Sequence, residues 1–330
     1  MVLEEVITDS ILFSTLAFLV GIALVLGSVE KFIEYVSEVA VQFGVSAFLL
    51  TAVFGGADWE NAVLSLAAVG GGLPGMALGT MIGAAIFVLA VTVGLAGVIV
   101  PFETTVPTKY LGLTLVSPLL LLVLTLDGTL SLHDGMFLMG AYVPIVWILY
   151  QWETGETVRY LQAEEIEEAE EVVAMNPDRG PTRSKLGSIG LLIAAIVGMV
   201  IGSEVTVIGA RGVLSAFGLT GLAFGATIMS VVASLEEIFL TVEPVRNDRP
   251  EIGVGNIVGS TLFFVTVNAG VIALVRPVVI STAVFTIHWS FLFGSLLLVS
   301  GFLYRGRLTR LDGGVLLALY AAYWGSIYLV

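Results

Sequence analysis

Of the 330 residues, 57% are hydrophobic and 12% are charged, against roughly 25% charged in a soluble domain. The apolar residues are gathered in blocks of about 18 to 30, long enough to cross ~30 Å of hydrocarbon as helices, which excludes a soluble globular fold. The net charge of −14 matches adaptation to high salt, and the absence of cysteine, with only His133 and His288 as histidines, excludes disulfide frameworks, iron–sulfur sites and zinc chemistry.

In chain order, the N-terminus carries Glu4, Glu5 and Asp9 without a basic residue, unlike a cleaved signal peptide. The apolar pattern then predicts ten spans. Five lie at about 10–28, 38–68, 75–100, 110–126 and 134–150, and five at about 186–203, 213–242, 252–275, 280–303 and 311–329. Residues 1–150 thus form one five-helix unit and 186–330 a second. Between them, the acidic loop 151–185 holds eight glutamates. Val158, Leu161, Ile166, Ala169 and Val172 recur there at helical spacing, which predicts an amphipathic surface helix; a weak Ca²⁺-sensing role is the sharper alternative. The lysines Lys31, Lys109 and Lys185 all fall near predicted span ends, so no buried Schiff-base lysine is present.

Basic residues set the orientation. Eleven of the thirteen fall in the odd-numbered loops, and only Arg211 and Arg276 fall on the other side. By the positive-inside rule, both termini are outside and 151–185 is cytoplasmic. The protein is therefore expected in the cell membrane as a multi-pass chain.

An odd number of spans per half makes the halves antiparallel, so similarity between them means an inverted repeat. Gly79 and Gly83 match Gly255 and Gly259 at an offset of 176, and Glu60 matches Glu237 at 177. The match has a flaw. Gly44 to Glu60 is 16 residues, whereas Gly218 to Glu237 is 19, which predicts a missing helical turn or a different register in the first copy.

Asp58, Glu60 and Asn61 fall within the second predicted span, and Glu236 and Glu237 within the seventh. A carboxylate at the centre of a membrane helix costs roughly 2.5–3.5 kcal/mol even on lenient scales. Neither segment offers a Lys or Arg partner, and apolar sequence continues on both sides of each cluster. A hydrated or ion-occupied cavity is the expected compensation; early helix ends with solvated loops are the alternative. Carboxylates, hydroxyls and carbonyls are hard oxygen ligands suited to Ca²⁺ or Na⁺. Ser234, three residues before Glu237, is placed on the same helix face. Asn256, Ser260 and Thr80 complete the candidate set. Gly55 and Gly56, beside the first acidic cluster, permit unwound backbone whose carbonyls can bind a cation.

These residues resemble the cation/Ca²⁺ exchanger superfamily, which includes the sodium/calcium exchangers. Its repeats carry Gly-Thr-Ser-Leu-Pro-Glu and then Gly-Asn-x-x-Gly-Ser. Here the second repeat reads Val232-Ala233-Ser234-Leu235-Glu236-Glu237, then Gly255-Asn256-Ile257-Val258-Gly259-Ser260. The first reads Gly55-Gly56-Ala57-Asp58-Trp59-Glu60, then Gly79-Thr80-Met81-Ile82-Gly83-Ala84. The resemblance implies an all-α membrane fold of ten helices in two inverted repeats, with Glu60 and Glu237 facing each other at the midplane and Ser234 and Ser260 assisting. Family members usually carry Asn or Asp four residues after the Gly-Ser serine, where this chain has Val88 and Phe264. Asp58, Asn61 and Glu236 are the candidates to substitute.

The expected function is secondary antiport of Ca²⁺ against Na⁺ or H⁺ by alternating access, with spans one and six, lacking a midplane charge, moving against spans 2–3 and 7–8. A cation channel, or an antiporter for other monovalent or divalent cations, is the alternative. An enzyme is not expected, since the histidines are isolated and no HExxH or GxGD motif occurs. Inorganic cations and the lipid bilayer are the expected partners, nucleic acid is not, and no cofactor is implied, Ca²⁺ and Na⁺ (or H⁺) being cargo.

Overall fold

The computed structural model describes residues 10–42, 57–153 and 185–329. The described chain is helical almost throughout. In order, its helices are α1 (Ile11–Gln42), α2 (Trp59–Gly70), α3 (Pro74–Ile99), α4 (Thr108–Leu124), α5 (Leu132–Glu153), α6 (Lys185–Phe217), α7 (Gly221–Ala233), α8 (Glu236–Arg246), α9 (Pro250–Val275), α10 (Val284–Tyr304) and α11 (Arg310–Leu329). Six are long and apolar enough to cross a membrane, or seven if α7 and α8, bent by 46° at a short break, form one span.

Several boundaries differ from those expected. Helix α1 has 32 residues and α6 has 33, about 50 Å each, well beyond the thickness of hydrocarbon. Residues 38–42 belong to α1 and 213–217 to α6, not to the spans that follow. Lys31 therefore lies within a helix, not a loop, where it pairs with Glu30 at 3.2 Å and Glu34 at 2.9 Å. The mismatch between Gly44 and Glu60, the glycines Gly55 and Gly56, and most of the acidic loop fall on residues 43–56 and 154–184, outside the described residues.

Helices α3 and α9 form the centre. Their most apolar windows are 78% and 89% buried, against 17% for α5 and 22% for α6, so the last two are the most exposed of the long apolar helices. Helices α1 and α6 lie antiparallel and interlock through small residues. A Cβ on Gly202 would stand 2.9 Å from the Val25 nitrogen and 3.0 Å from the Gly21 carbonyl; one on Gly209 would stand 2.6 Å from the Ser14 carbonyl. Their outward faces carry Leu12, Phe13, Leu16, Val197, Val200 and Ile201, all exposed.

Helices α3 and α7 meet backbone to backbone. A Cβ on Gly83 would sit 2.5 Å from the Ala226 carbonyl, and one on Gly225 would strike the Met76 carbonyl and reach 2.9 Å from the Thr80 nitrogen. Small residues at i, i+4 permit this approach, as expected for the Gly79/Gly83 pair. Gly225→Ala forces the helices apart, because the obstruction is backbone. The expected cost is about 1–3 kcal/mol, read as a lower melting temperature in detergent.

Matched features recur in the two halves. π-Helical turns interrupt α3 at Val88–Thr92 and α9 at Phe264–Asn268, an offset of 176. The strand β1 (Phe102–Glu103), after α3, pairs antiparallel with β4 (Arg307–Leu308), between α10 and α11. The strand β2 (Thr129–Leu130), between α4 and α5, pairs antiparallel with β3 (Val278–Val279), after α9. Before α5, the nitrogen and hydroxyl of Ser131 donate to Asp134 at 2.8 and 2.6 Å; before α11, those of Thr309 donate to Asp312 at 2.8 and 2.6 Å. Gly135 of α5 abuts Gly270 of α9, and Gly313 of α11 abuts Gly94 of α3.

Candidate cation site

The carboxylates cluster at helix starts. Helix α7 ends at Ala233, Ser234 and Leu235 form the break, and α8 begins at Glu236, so Glu237 lies in its first turn. Asp58 is the N-cap of α2, its Oδ1 accepting the Asn61 nitrogen at 2.7 Å, and Glu60 lies in the first turn. Positive helix ends stabilise negative charge there. The first cluster is thus at the start of a helix rather than inside one, yet it is not solvated: Asp58 and Glu60 are each 6% exposed and Glu237 3%.

Glu237 is held from α9. Ser260 Oγ donates to Oε1 at 2.9 Å, and Asn256 Nδ2 donates to Oε2 at 2.5 Å. Thr241 Oγ1 accepts from Asn256 at 3.4 Å. Ser260 and Asn256, four apart, share one face of α9. The charges bearing on Asp58 are all negative, those of Glu237, Glu60 and Glu236, although among the described residues no three of these acidic groups stand close enough together to hold a metal ion by themselves. Confined like charges in a low dielectric repel strongly. Ser234 is wholly buried, and its Oγ has no hydrogen-bond partner among the described residues. The side chains of Trp59 and Tyr142 flank this region edge-on to Phe263, with ring centroids 5.1 and 6.1 Å away.

Two candidates stand apart. Glu236 is exposed although its neighbour Glu237 is buried, since adjacent helix positions point about 100° apart. Thr80 is buried on α3, with its hydroxyl donating to its own helix at Met76, 2.8 Å away. Ser234 and Glu237 do not share a face of a continuous helix, because the bend falls between them; burial still brings both inward.

The sequence reading missed two polar residues. Asn268, buried on α9, donates from Nδ2 to Asn61 Oδ1 at 2.7 Å. An amide within the apolar stretch 262–275 was its signal. Glu204 sits near the middle of α6 on an exposed face, a charge just beyond the predicted end of span six at residue 203.

The sequence matches the sodium/calcium exchanger protein family over residues 13–151 and 187–329, most of both halves. The chain belongs to this family. Among family relatives, the inner membrane protein YrbG of Escherichia coli K12 is 27% identical, covering 97% of this chain and 99% of YrbG. A protein named "Putative antiporter CaxA", from Alkalimonas amylolytica, is 24% identical over 82% of this chain and 84% of its own. The fold is that of the sodium-calcium exchanger NCX_Mj: a structure of it soaked with Na⁺ and Sr²⁺ aligns with a TM-score of 0.58 at 22% identity, covering 96% of this chain and 99% of that one. Together with the apolar helices, this makes the exchanger-family chain a multi-pass membrane protein.

Proposed function

We propose that this protein is a secondary active antiporter that moves Ca²⁺ against Na⁺ or H⁺ by alternating access at the buried acidic cluster. Asp58, Glu60, Asn61, Ser234, Glu237, Asn256 and Ser260 are the proposed ligand set. Thr80 lies at its edge, and Glu236 acts through its charge from the exposed side. The observation that carries the reading is the burial of three carboxylates, with the charges of Glu60 and Glu237 bearing on Asp58 and with Glu237 clasped by Asn256 and Ser260. Such a cluster is costly when empty and favourable around a cation. The CaxA name and the fold shared with an exchanger support exchange over other transport chemistries.

The proposed architecture is ten spans in two inverted halves, 1–150 and 186–330, with the α7–α8 pair as one span. The swapped strand pairings, paired π-helical turns and paired aspartate caps support it. Both termini are outside and 151–185 is cytoplasmic in this reading, as the distribution of Lys and Arg favours. Arg211, within the last turns of α6, favours placing that end of the helix beside the α2–α3 turn, since its guanidinium donates to the Gly71 carbonyl.

Purified protein in proteoliposomes is expected to take up labelled Ca²⁺ only against an outward Na⁺ or H⁺ gradient. Collapse of that gradient should stop uptake. Uptake that persists undiminished without any counter-ion gradient would instead identify a channel.

A further inference from the structure

The grip on Glu237 leaves Asn268 unexplained. Asn268 closes the π-helical turn Phe264–Asn268 of α9 and is wholly buried. Its bond to Asn61 joins α9 to α2 across 207 residues of sequence. Asn61 in turn donates from its backbone nitrogen to Asp58 Oδ1, so Asp58, Asn61 and Asn268 form one contiguous polar chain. Along it, Oδ2 of Asp58, Nδ2 of Asn61 and Oδ1 of Asn268 have no hydrogen-bond partner among the described residues.

Unmet buried polar atoms are costly, and a chain of three is not what a structural tie between helices requires. Turning both amides over exchanges which atoms are left out but still leaves one amide oxygen without a donor. That oxygen lies in the same hydrogen-bonded chain as a carboxylate oxygen that also lacks a donor. The corresponding turn of α3, 176 residues earlier, closes on Thr92, which is buried and whose Oγ1 likewise has no partner among the described residues. Phe264, one turn before Asn268 on α9, contributes no oxygen at all.

We infer that Asn268 is a further ligand of the transported cation, acting with Asp58 and Asn61 as a second group of oxygens beside Glu237, Asn256 and Ser260. The inference rests on the reading of this region as a cation site. Amide and carboxylate oxygens are hard ligands for Ca²⁺ or Na⁺. A neutral amide adds coordination without adding charge where three negative groups already bear on Asp58. Position 268 thereby sets the balance between divalent and monovalent cations.

The test uses the full chain with Asn268→Ala, Asn268→Ser and Asn268→Asp, with the unaltered protein as reference. Two quantities are read: the Ca²⁺ concentration at half-maximal uptake in proteoliposomes, and the rise in melting temperature on adding Ca²⁺ or Na⁺ in detergent. Asn268→Ala is expected to raise the half-saturating Ca²⁺ concentration by about tenfold or more. Asn268→Asp keeps an oxygen and adds a charge, so it should restore Ca²⁺ binding and blunt the response to Na⁺. Asn268→Ser serves as the oxygen-bearing small variant should Asn268→Ala fail to fold. Variants that melt lower without cation yet keep the original half-saturation and cation preference would overturn the inference, leaving Asn268 as a tie between α2 and α9. An unaltered protein that responds to neither cation would overturn the exchanger reading as well, an outcome distinct from the first.

Discussion

Glu237→Gln is expected to abolish cation exchange while leaving the protein folded. The substitution keeps the size and shape of the side chain, and its remaining carbonyl oxygen still accepts from Ser260 or Asn256. A hydroxyl can reverse its role toward the new amide, so the contacts between α8 and α9 survive. The negative charge does not. Removing one partner of a buried, desolvated charge contact costs about 2–5 kcal/mol, and about 3 kcal/mol already exceeds a hundredfold in affinity. Labelled Ca²⁺ uptake should therefore fall to background, and the Ca²⁺-dependent rise in melting temperature should vanish. Without cation, the variant should melt no lower than the unaltered protein, because the like charge of Glu236 no longer opposes a second one beside it. Glu60→Gln is expected to behave the same way from the α2 side. Should both neutral variants transport at the original rate, neither carboxylate holds the ion.

The residues at the heart of this prediction were legible because membrane burial makes charge conspicuous. A carboxylate flanked on both sides by apolar residues announces itself, and Glu60 and Glu237 did so without a fold to place them. Asn256 and Ser260 followed from their spacing on one helix face. The break at Ser234 and Leu235 was not legible, since Val231 and Val232 before it and Ile238 and Phe239 after it are equally apolar, and hydropathy does not register a bend. Adjacent Glu236 and Glu237 could not be told apart for the same reason: composition carries no azimuth once a helix restarts. The end of α1 differs from the predicted one because Glu30, Lys31 and Glu34 read as a loop, although the helix runs on through them to Gln42. Glu204 was lost with the misplaced end of α6. Asn268 escaped notice because its partner, Asn61, lies 207 residues away and only the packing of α9 on α2 brings them together.

Asp58 carries two duties that a pair of substitutions separates. One is local: as N-cap of α2 its Oδ1 holds the Asn61 nitrogen at 2.7 Å, a bond that an Asn side chain also makes. The other is electrostatic: its charge joins those of Glu237 and Glu60 in a region shielded from solvent. Asp58→Asn keeps the cap and deletes the charge. It is expected to raise the half-saturating Ca²⁺ concentration by about a hundredfold, equivalent to about 2.8 kcal/mol, with no fall in melting temperature. Asp58→Ala removes both and should lower the melting temperature as well, by the equivalent of about 1 kcal/mol for a lost cap. With three carboxylates, one Ca²⁺ leaves a negative charge unmatched, so a second, monovalent ion or proton is drawn in alongside it. Neutralising Asp58 removes that requirement, and the charge carried per Ca²⁺ should change in a voltage-dependent uptake assay. If Asp58→Asn instead matches the unaltered protein in both concentration and voltage dependence, Asp58 is a helix cap alone and the ion is held by the two glutamates.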